Sequence, residues 1–257
     1  MVGVDKIREY LGEFKSNYVV IGGTACNLNL EEADLQGRAT KDIDMIVVCE
    51  AITPEYLNRF WEFIRAGGYS LWQVKNDEND KKCFYRFIEP NDKSFPAYIE
   101  LFSRVPDGIK VPEDAHLVHI PVDEYLSSFS AILMDDDYYN YAIQHTKEIE
   151  GIQVLDKDAI IVLKAKAFLN NLQRKQSYQP VQQDDIDKHK KDIYRIAYLL
   201  SEDERFDISD TIKKDLNLFL DLLQENPINT KAIAKYMNLP ELPIDDFKAL
   251  LNNVFQL

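Results

Sequence analysis

The chain has 257 residues, 46% of them hydrophobic and 11% aromatic, which suits one large folded domain or two modest ones and excludes a disordered chain. A formal net charge of −14 excludes a broad basic stripe for nucleic acid, so an RNA substrate would have to be held by a local basic patch. No run approaches the ~18 apolar residues of a membrane span, the opening MVGVDKIREYLGEF lacks the apolar core of a secretory signal, and the three cysteines fit no metal spacing; the expectation is a cytoplasmic protein with reduced thiols.

In chain order, a helix over 4–14 precedes a strand at 18–21. Gly22-Gly23-Thr24 breaks that strand, and a helix should start at Thr24 with the threonine as N-cap. Residues 43–48 read as the next strand, and 54–66 as a helix stopped by Gly67-Gly68. Strand-like runs follow at 69–74, 83–88 and 97–102, separated by the polar turns KNDENDKK and EPNDKSFP. SSFSAILMDDDYYNY is ambiguous between strand and helix. From Asp158 the periodicity is helical, over 158–172, 184–200, 208–223 and 245–254, with an exposed connection QRKQSYQPVQQDD between the first two. The pattern predicts an α+β protein: a mixed sheet flanked by helices over 1–155, followed by an all-helical domain over 156–257.

Asp42 and Asp44 lie two apart among isoleucines and valines, so on a strand both project from one face. Two carboxylates about 4 Å apart repel by roughly 4 kcal/mol at a near-surface dielectric. A divalent cation removes that penalty, and Mg²⁺ favours carboxylate oxygens with some waters retained. A solvated strand end is the plainer alternative. Upstream, Gly22-Gly23-Thr24 ends a strand and opens a helix, so its backbone N–H groups can receive phosphate oxygens. Together the two features describe a triphosphate cradle facing a metal site.

The elements G-G-T-A and R-A-T-K-D-I-D resemble the signature of the polymerase-β-like nucleotidyltransferase superfamily, and the second spelling, Arg38 to Asp44, is similar to its AbiEii-type abortive-infection toxin branch. The resemblance implies a nucleotidyltransferase fold for the front half and a third carboxylate on a later strand beside the first two. Glu100, a lone acid in the apolar run AYIELFS, is the best match; many relatives have aspartate there. An uncompensated charge in that strand would be costly. Glu89, beside Pro90, reads as a turn residue instead. Asp42, Asp44 and Glu100 are thus the expected catalytic and metal-binding residues, with Mg²⁺ or Mn²⁺ as the cofactor and an NTP as substrate. The implied reaction moves an NMP to an acceptor hydroxyl and releases pyrophosphate. The implied acceptors are RNA, with tRNA ends among them, a protein or a small molecule, and the toxin branch implies an antitoxin partner. The alternative is a non-catalytic nucleotide-binding or scaffolding protein on the same fold.

Gly22, Gly23, Thr24, Arg38, Lys164, His189 and Asp192 are the expected nucleotide-binding residues. Arg38 precedes Asp42 in a loop, where it could reach a phosphate, pair with the aspartates, or simply be a surface arginine. Lys164 falls on the apolar stripe of its helix and so needs an anionic partner, whereas Lys166 lies on the polar, solvated arc. The family also implies a triphosphate-contacting lysine near Lys164; a structural salt bridge is the alternative. DKHKKDIYRI resembles the family's late K-D-x-x-D element: Lys191-Asp192 match, but Arg195 stands where a second aspartate belongs. The helical wheel turns His189 and Asp192 inward, His189 equally readable as a core histidine. Asp135-Asp136-Asp137 reads as a solvated turn.

Overall fold

The computed structural model describes residues 2–71, 85–106, 117–119 and 130–257. The chain runs α1 (Val4–Leu11), β1 (Tyr18–Ile21), α2 (Gly22–Glu32), β2 (Asp42–Val47), α3 (Pro54–Gly67), β3 (Ser70–Leu71), β4 (Arg86–Ile88), β5 (Tyr98–Ser103), β6 (Leu117–His119) and β7 (Ser130–Leu133). It continues through α4 (Asp136–Gln144), β8 (Thr146–Ile149) and β9 (Ile152–Leu155) to α5 (Lys157–Gln176), α6 (Gln183–Ala197), α7 (Asp210–Leu222), α8 (Thr230–Met237) and α9 (Ile244–Phe255). This is an α+β fold, a mixed sheet with flanking helices. It divides into two compact units: Met1–Thr24, Thr40–Tyr139 and Thr146–Leu155 form the first, and Ala25–Ala39, Asn140–His145 and Asp156–Leu257 the second. The second unit therefore contains two short stretches that a cut after residue 155 leaves with the front half.

In the first unit the strands form one sheet in the order β3-β4-β5-β2-β1-β9-β8, with β7 pairing β5 and β6 at its side. β2 runs parallel to β5 and antiparallel to β1, while β9 pairs parallel with β1. Alternation decides the faces: Ile43, Met45, Ile99 and Leu101 are buried, whereas Asp42, Asp44, Tyr98 and Glu100 between them are not fully covered. Helix α3 supplies the apolar cover. Phe60 on α3 meets the Phe87 ring of β4 at 5.6 Å and Phe63 at 6.2 Å, and Tyr56 brings its hydroxyl 3.9 Å from the Met45 sulfur. Thr53 caps α3, accepting from the Tyr56 N–H at 3.2 Å, and Gly68 ends it in the left-handed conformation at φ 63°.

Several boundaries differ from expectation. Helix α1 stops at Leu11, and α2 opens at Gly22 rather than Thr24. Thr24 is not the cap: its hydroxyl donates to the Asp42 carbonyl at 2.7 Å, a strand partner that local sequence cannot reveal. The runs at 69–74 and 83–88 keep only β3 and β4 among the described residues; 72–84, with the KNDENDKK turn and Cys83, lie outside them. The ambiguous SSFSAILMDDDYYNY is both kinds of structure, β7 and then α4, with 127–129 outside the described residues. The β8–β9 hairpin was not expected; it turns on Glu150 and Gly151, both at positive φ (51° and 80°), as a two-residue hairpin turn demands.

The second unit centres on α5, capped by the Asp156 carboxylate accepting from the Lys157 N–H at 2.7 Å. α5 packs on α6 and α7, the Phe168 and Phe219 rings meeting edge to face at 5.4 Å, and α6 meets α9 through Tyr194 and Phe247, also at 5.4 Å. Helix α8 was not anticipated; its eight residues make a weak periodic signal. Among the described residues, no helix is long and apolar enough to cross a membrane.

Phe60→Ala removes the fully buried ring that joins α3 to β4 and should cost about 3–5 kcal/mol. Urea denaturation followed by tyrosine and tryptophan fluorescence measures it, and a loss below about 1 kcal/mol would contradict this packing.

Candidate functional site

The candidate residues fall in two clusters of charged side chains, one in each unit. In the first, the geometry follows from strand register. β1 leads into Gly22 opposite Asp44, since Ile21 pairs with Asp44 across the antiparallel ladder. Gly22 has φ 69°, and a Cβ there would overlap the Asp44 carboxylate. Only glycine allows both the backbone angle and the approach. The first backbone N–H groups of α2 lie at this turn, the arrangement that receives anions.

On the other side of β2, the parallel ladder sets Asp42 opposite Tyr98 and Asp44 opposite Glu100. The three carboxylates expected from the sequence therefore share one face of two neighbouring strands. Glu100 is nevertheless not uncompensated. β4 runs antiparallel to β5 with Arg86 opposite Glu100, and the Arg86 guanidinium forms a short ion pair with the Glu100 carboxylate. The Tyr98 hydroxyl donates to the same oxygen at 3.2 Å. Burial works against the Arg86 charge, but Glu100 outweighs it and holds the guanidinium above its ordinary range. Burial, and then the Glu100 carboxylate, push the Tyr98 hydroxyl upward. Arg86 escaped the sequence reading, although a charged residue inside the apolar run 83–88 was the same kind of signal as Glu100. Glu89 follows β4 as an exposed turn residue at φ 52°.

Among the described residues, no three His, Cys, Asp or Glu side chains lie together closely enough to hold a metal ion unaided. The exposed Asp42 and the half-buried Asp44 offer hard oxygen donors from one face. Such a pair fits a divalent ion that keeps waters or takes phosphate oxygens, as Mg²⁺ does, rather than a fully protein-built cage. The Thr24 side chain is buried and committed to Asp42, so only its backbone N–H is suited to a ligand.

In the second unit the cluster centres on Asp192 of α6, which is fully buried. Lys164 of α5 donates to it at 2.7 Å, Arg195 one turn along α6 at 2.9 Å, and the Arg38 Nε to both oxygens at 3.2 and 3.1 Å. The carboxylate that Arg38 meets is thus Asp192. Arg195, which stands where the sequence resemblance would put a second aspartate, closes the same cluster. Burial alone would raise the Asp192 carboxyl; Lys164 and Arg38 reverse that and hold it below the usual range. Three cations thus surround this one carboxylate, and the Arg38 side chain is 31% exposed.

His189 lies alongside, its Nε2 3.3 Å from the Asn171 amide and its Nδ1 buried with no hydrogen-bond partner among the described residues. Burial first, then the Lys164 charge, lower it to about 3, so the ring is neutral at physiological pH. The Cys26 thiol, buried in this unit, is pushed up to about 12 by burial and by Asp192, so it stays protonated at physiological pH. Lys166 is not simply solvated: it pairs with Asp215 of α7 at 2.7 Å. Asp135, Asp136 and Asp137 sit at the start of α4, Asp135 accepting from the Asp137 N–H at 2.9 Å, a capping arrangement.

No protein-family model matches the sequence, and no curated protein does. Among solved structures, the chain is similar to the Megavirus polyadenylate synthase, at 12% identity and a TM-score of 0.38, over 86% of this chain and 36% of that one. It is also similar to JHP933 from Helicobacter pylori, at 13% identity and a TM-score of 0.34, over 98% of this chain and 90% of that one. The chain spans about a third of the length of the viral synthase. Likenesses this distant assign neither a residue role nor an activity.

Two outcomes follow from the geometry. Gly22→Ala, strained in φ and pressed on Asp44, should lose about 1–3 kcal/mol of stability, and an unchanged melting temperature would refute the contact. Asp192→Asn should cost about 3–5 kcal/mol at neutral pH because it leaves buried cations unpaired. The folded-state pKa of Asp192 is lowered, so its contribution is complete above the ordinary aspartate value and is lost as pH falls through the folded value. Urea melts at decreasing pH should therefore show the difference between wild type and Asp192→Asn narrowing below roughly pH 4.

Proposed function

We propose that this chain is a metal-dependent nucleotidyltransferase that moves an NMP from an NTP to an acceptor hydroxyl and releases pyrophosphate. One observation carries the reading: Gly22 is pressed against Asp44 at a strand-to-helix turn, with Asp42, Asp44 and Glu100 on one face of the adjoining parallel strands. The turn offers backbone N–H groups to phosphate oxygens. Asp42 and Asp44 would hold Mg²⁺ or Mn²⁺ beside them. When bound, the ion neutralises phosphate charge and lowers the pKa of the acceptor hydroxyl. The chain's own part is positioning: the glycine turn orients the triphosphate, and an aspartate beside the ion accepts the hydroxyl proton. In the second unit, the excess of positive charge from Arg38, Lys164 and Arg195 suits an anionic ligand such as a triphosphate. His189, neutral and buried, serves as a hydrogen-bonding or packing group rather than a proton donor.

The acceptor is proposed only by resemblance. The AbiEii-type spelling favours RNA, tRNA ends included, and a toxin's role with an antitoxin, while the net charge of −14 counts against an extended RNA surface. One observation favours a second reading, a nucleotide-binding protein without catalysis: Glu100 is already occupied by Arg86.

The test is incubation of the chain with each [α-³²P]NTP, Mg²⁺ or Mn²⁺ and total tRNA, with the protein itself present as the competing acceptor. Labelled product and pyrophosphate should appear, and Asp42→Asn and Asp44→Asn should each reduce both by at least about a hundredfold. Nucleotide binding without pyrophosphate release would establish the second reading; equal activity of the asparagine variants would refute the first.

A further inference from the structure

Arg86, Glu100 and Asp44 form one cross-strand row, each directly opposite the next on neighbouring strands about 4.8 Å apart. Such directly opposed pairs are the closest side-chain neighbours in a sheet. Glu100 therefore has two claimants on its two flanks, the arginine on β4 and whatever cation lies by the aspartates on β2. The guanidinium lies over the Tyr85 ring at 5.3 Å, and its side chain is 36% exposed, so water is within reach of it. The Tyr98 hydroxyl donates to the same carboxylate oxygen and helps hold it on the Arg86 side.

We infer that Arg86 is a counter-cation that Glu100 keeps while no divalent ion is bound, and that this pairing weakens how tightly the acidic face takes one. The inference rests on the proposed ion site at Asp42 and Asp44 and names what regulates it. A guanidinium and a divalent ion compete for Glu100, and the arginine charge one strand away also repels the ion. An ion alone is therefore held weakly. A triphosphate on the glycine turn adds the negative charge that tips the competition, so ion and nucleotide bind together. Arg86 is a positioning residue here, acting on the ion through Glu100.

Mn²⁺ titration without nucleotide, with free ion read by electron paramagnetic resonance, tests this directly. Arg86→Gln should bind Mn²⁺ about tenfold more tightly than wild type, and Arg86→Lys, which keeps the charge, should stay within about twofold of it. Adding Glu100→Gln to Arg86→Gln should erase most of the gain. A second measurement uses the unaltered protein: peptide-mapped phenylglyoxal modification of Arg86 should accelerate when Mn²⁺ is added, because the guanidinium is released. Arg86→Gln binding no tighter than wild type, a gain that survives Glu100→Gln, or unchanged Arg86 reactivity at saturating Mn²⁺ would each overturn the inference. Asp44→Asn separates the two levels. If it abolishes Mn²⁺ binding while Arg86→Gln changes nothing, the role of Arg86 alone falls; if it leaves binding intact, the ion site itself falls.

Discussion

Parallel pairing of β2 with β5, with Asp44 opposite Glu100, is the constraint on which the first unit's chemistry depends. Each strand alternates apolar residues into the α3 side and polar ones away from it, so the register that buries Ile43, Met45, Ile99 and Leu101 also gathers the acids. A slip by one residue would send charges into the aromatic packing around Phe60 and the aliphatic side chains to water. The hydrophobic effect thus selects the register, and the acids follow it. Gly22 joins the arrangement because β1 pairs with β2 on the other side and delivers its turn against Asp44.

The same physics appears in both units. A carboxylate inside an apolar element is tolerable only with compensation, and each unit supplies it from elsewhere in the chain: Arg86 to Glu100, and Lys164, Arg38 and Arg195 to Asp192. The two balances differ. Among the described residues, the first sets Arg86 against Glu100 on a face that also carries Asp42 and Asp44. The second sets Lys164, Arg38 and Arg195 around the single buried carboxylate of Asp192. Exposed pairs such as Lys6–Glu9 have no such leverage, because water screens both partners.

Much of this was legible in residue order. The strand at 18–21 is found as expected, the helix stopped near Gly67-Gly68 ends there, and the periodicity after Asp158 resolves into helices. Lys164 was read as needing an anion because it stood on an apolar stripe, and Asp192 meets it. Thr24 was misread as a cap because a hydroxyl before a helix normally serves there, and its actual acceptor, the Asp42 carbonyl, belongs to a strand distant in sequence. The β8–β9 hairpin and α8 were missed because each is short and gives little periodic signal.

By itself the sequence picked out the charges set in apolar elements: Asp42 and Asp44, which a solvated strand end would also explain, Glu100, the inward lysine at 164 and the inward aspartate at 192. Those follow from periodicity and the cost of desolvating charge, both local properties. Only the tertiary structure decided the partners. Whether Glu100 meets Arg86, and Arg38 meets Asp192, depends on strand order, register and helix packing. These bring together residues far apart along the chain, and no local pattern encodes which of several available cations arrives at a given carboxylate.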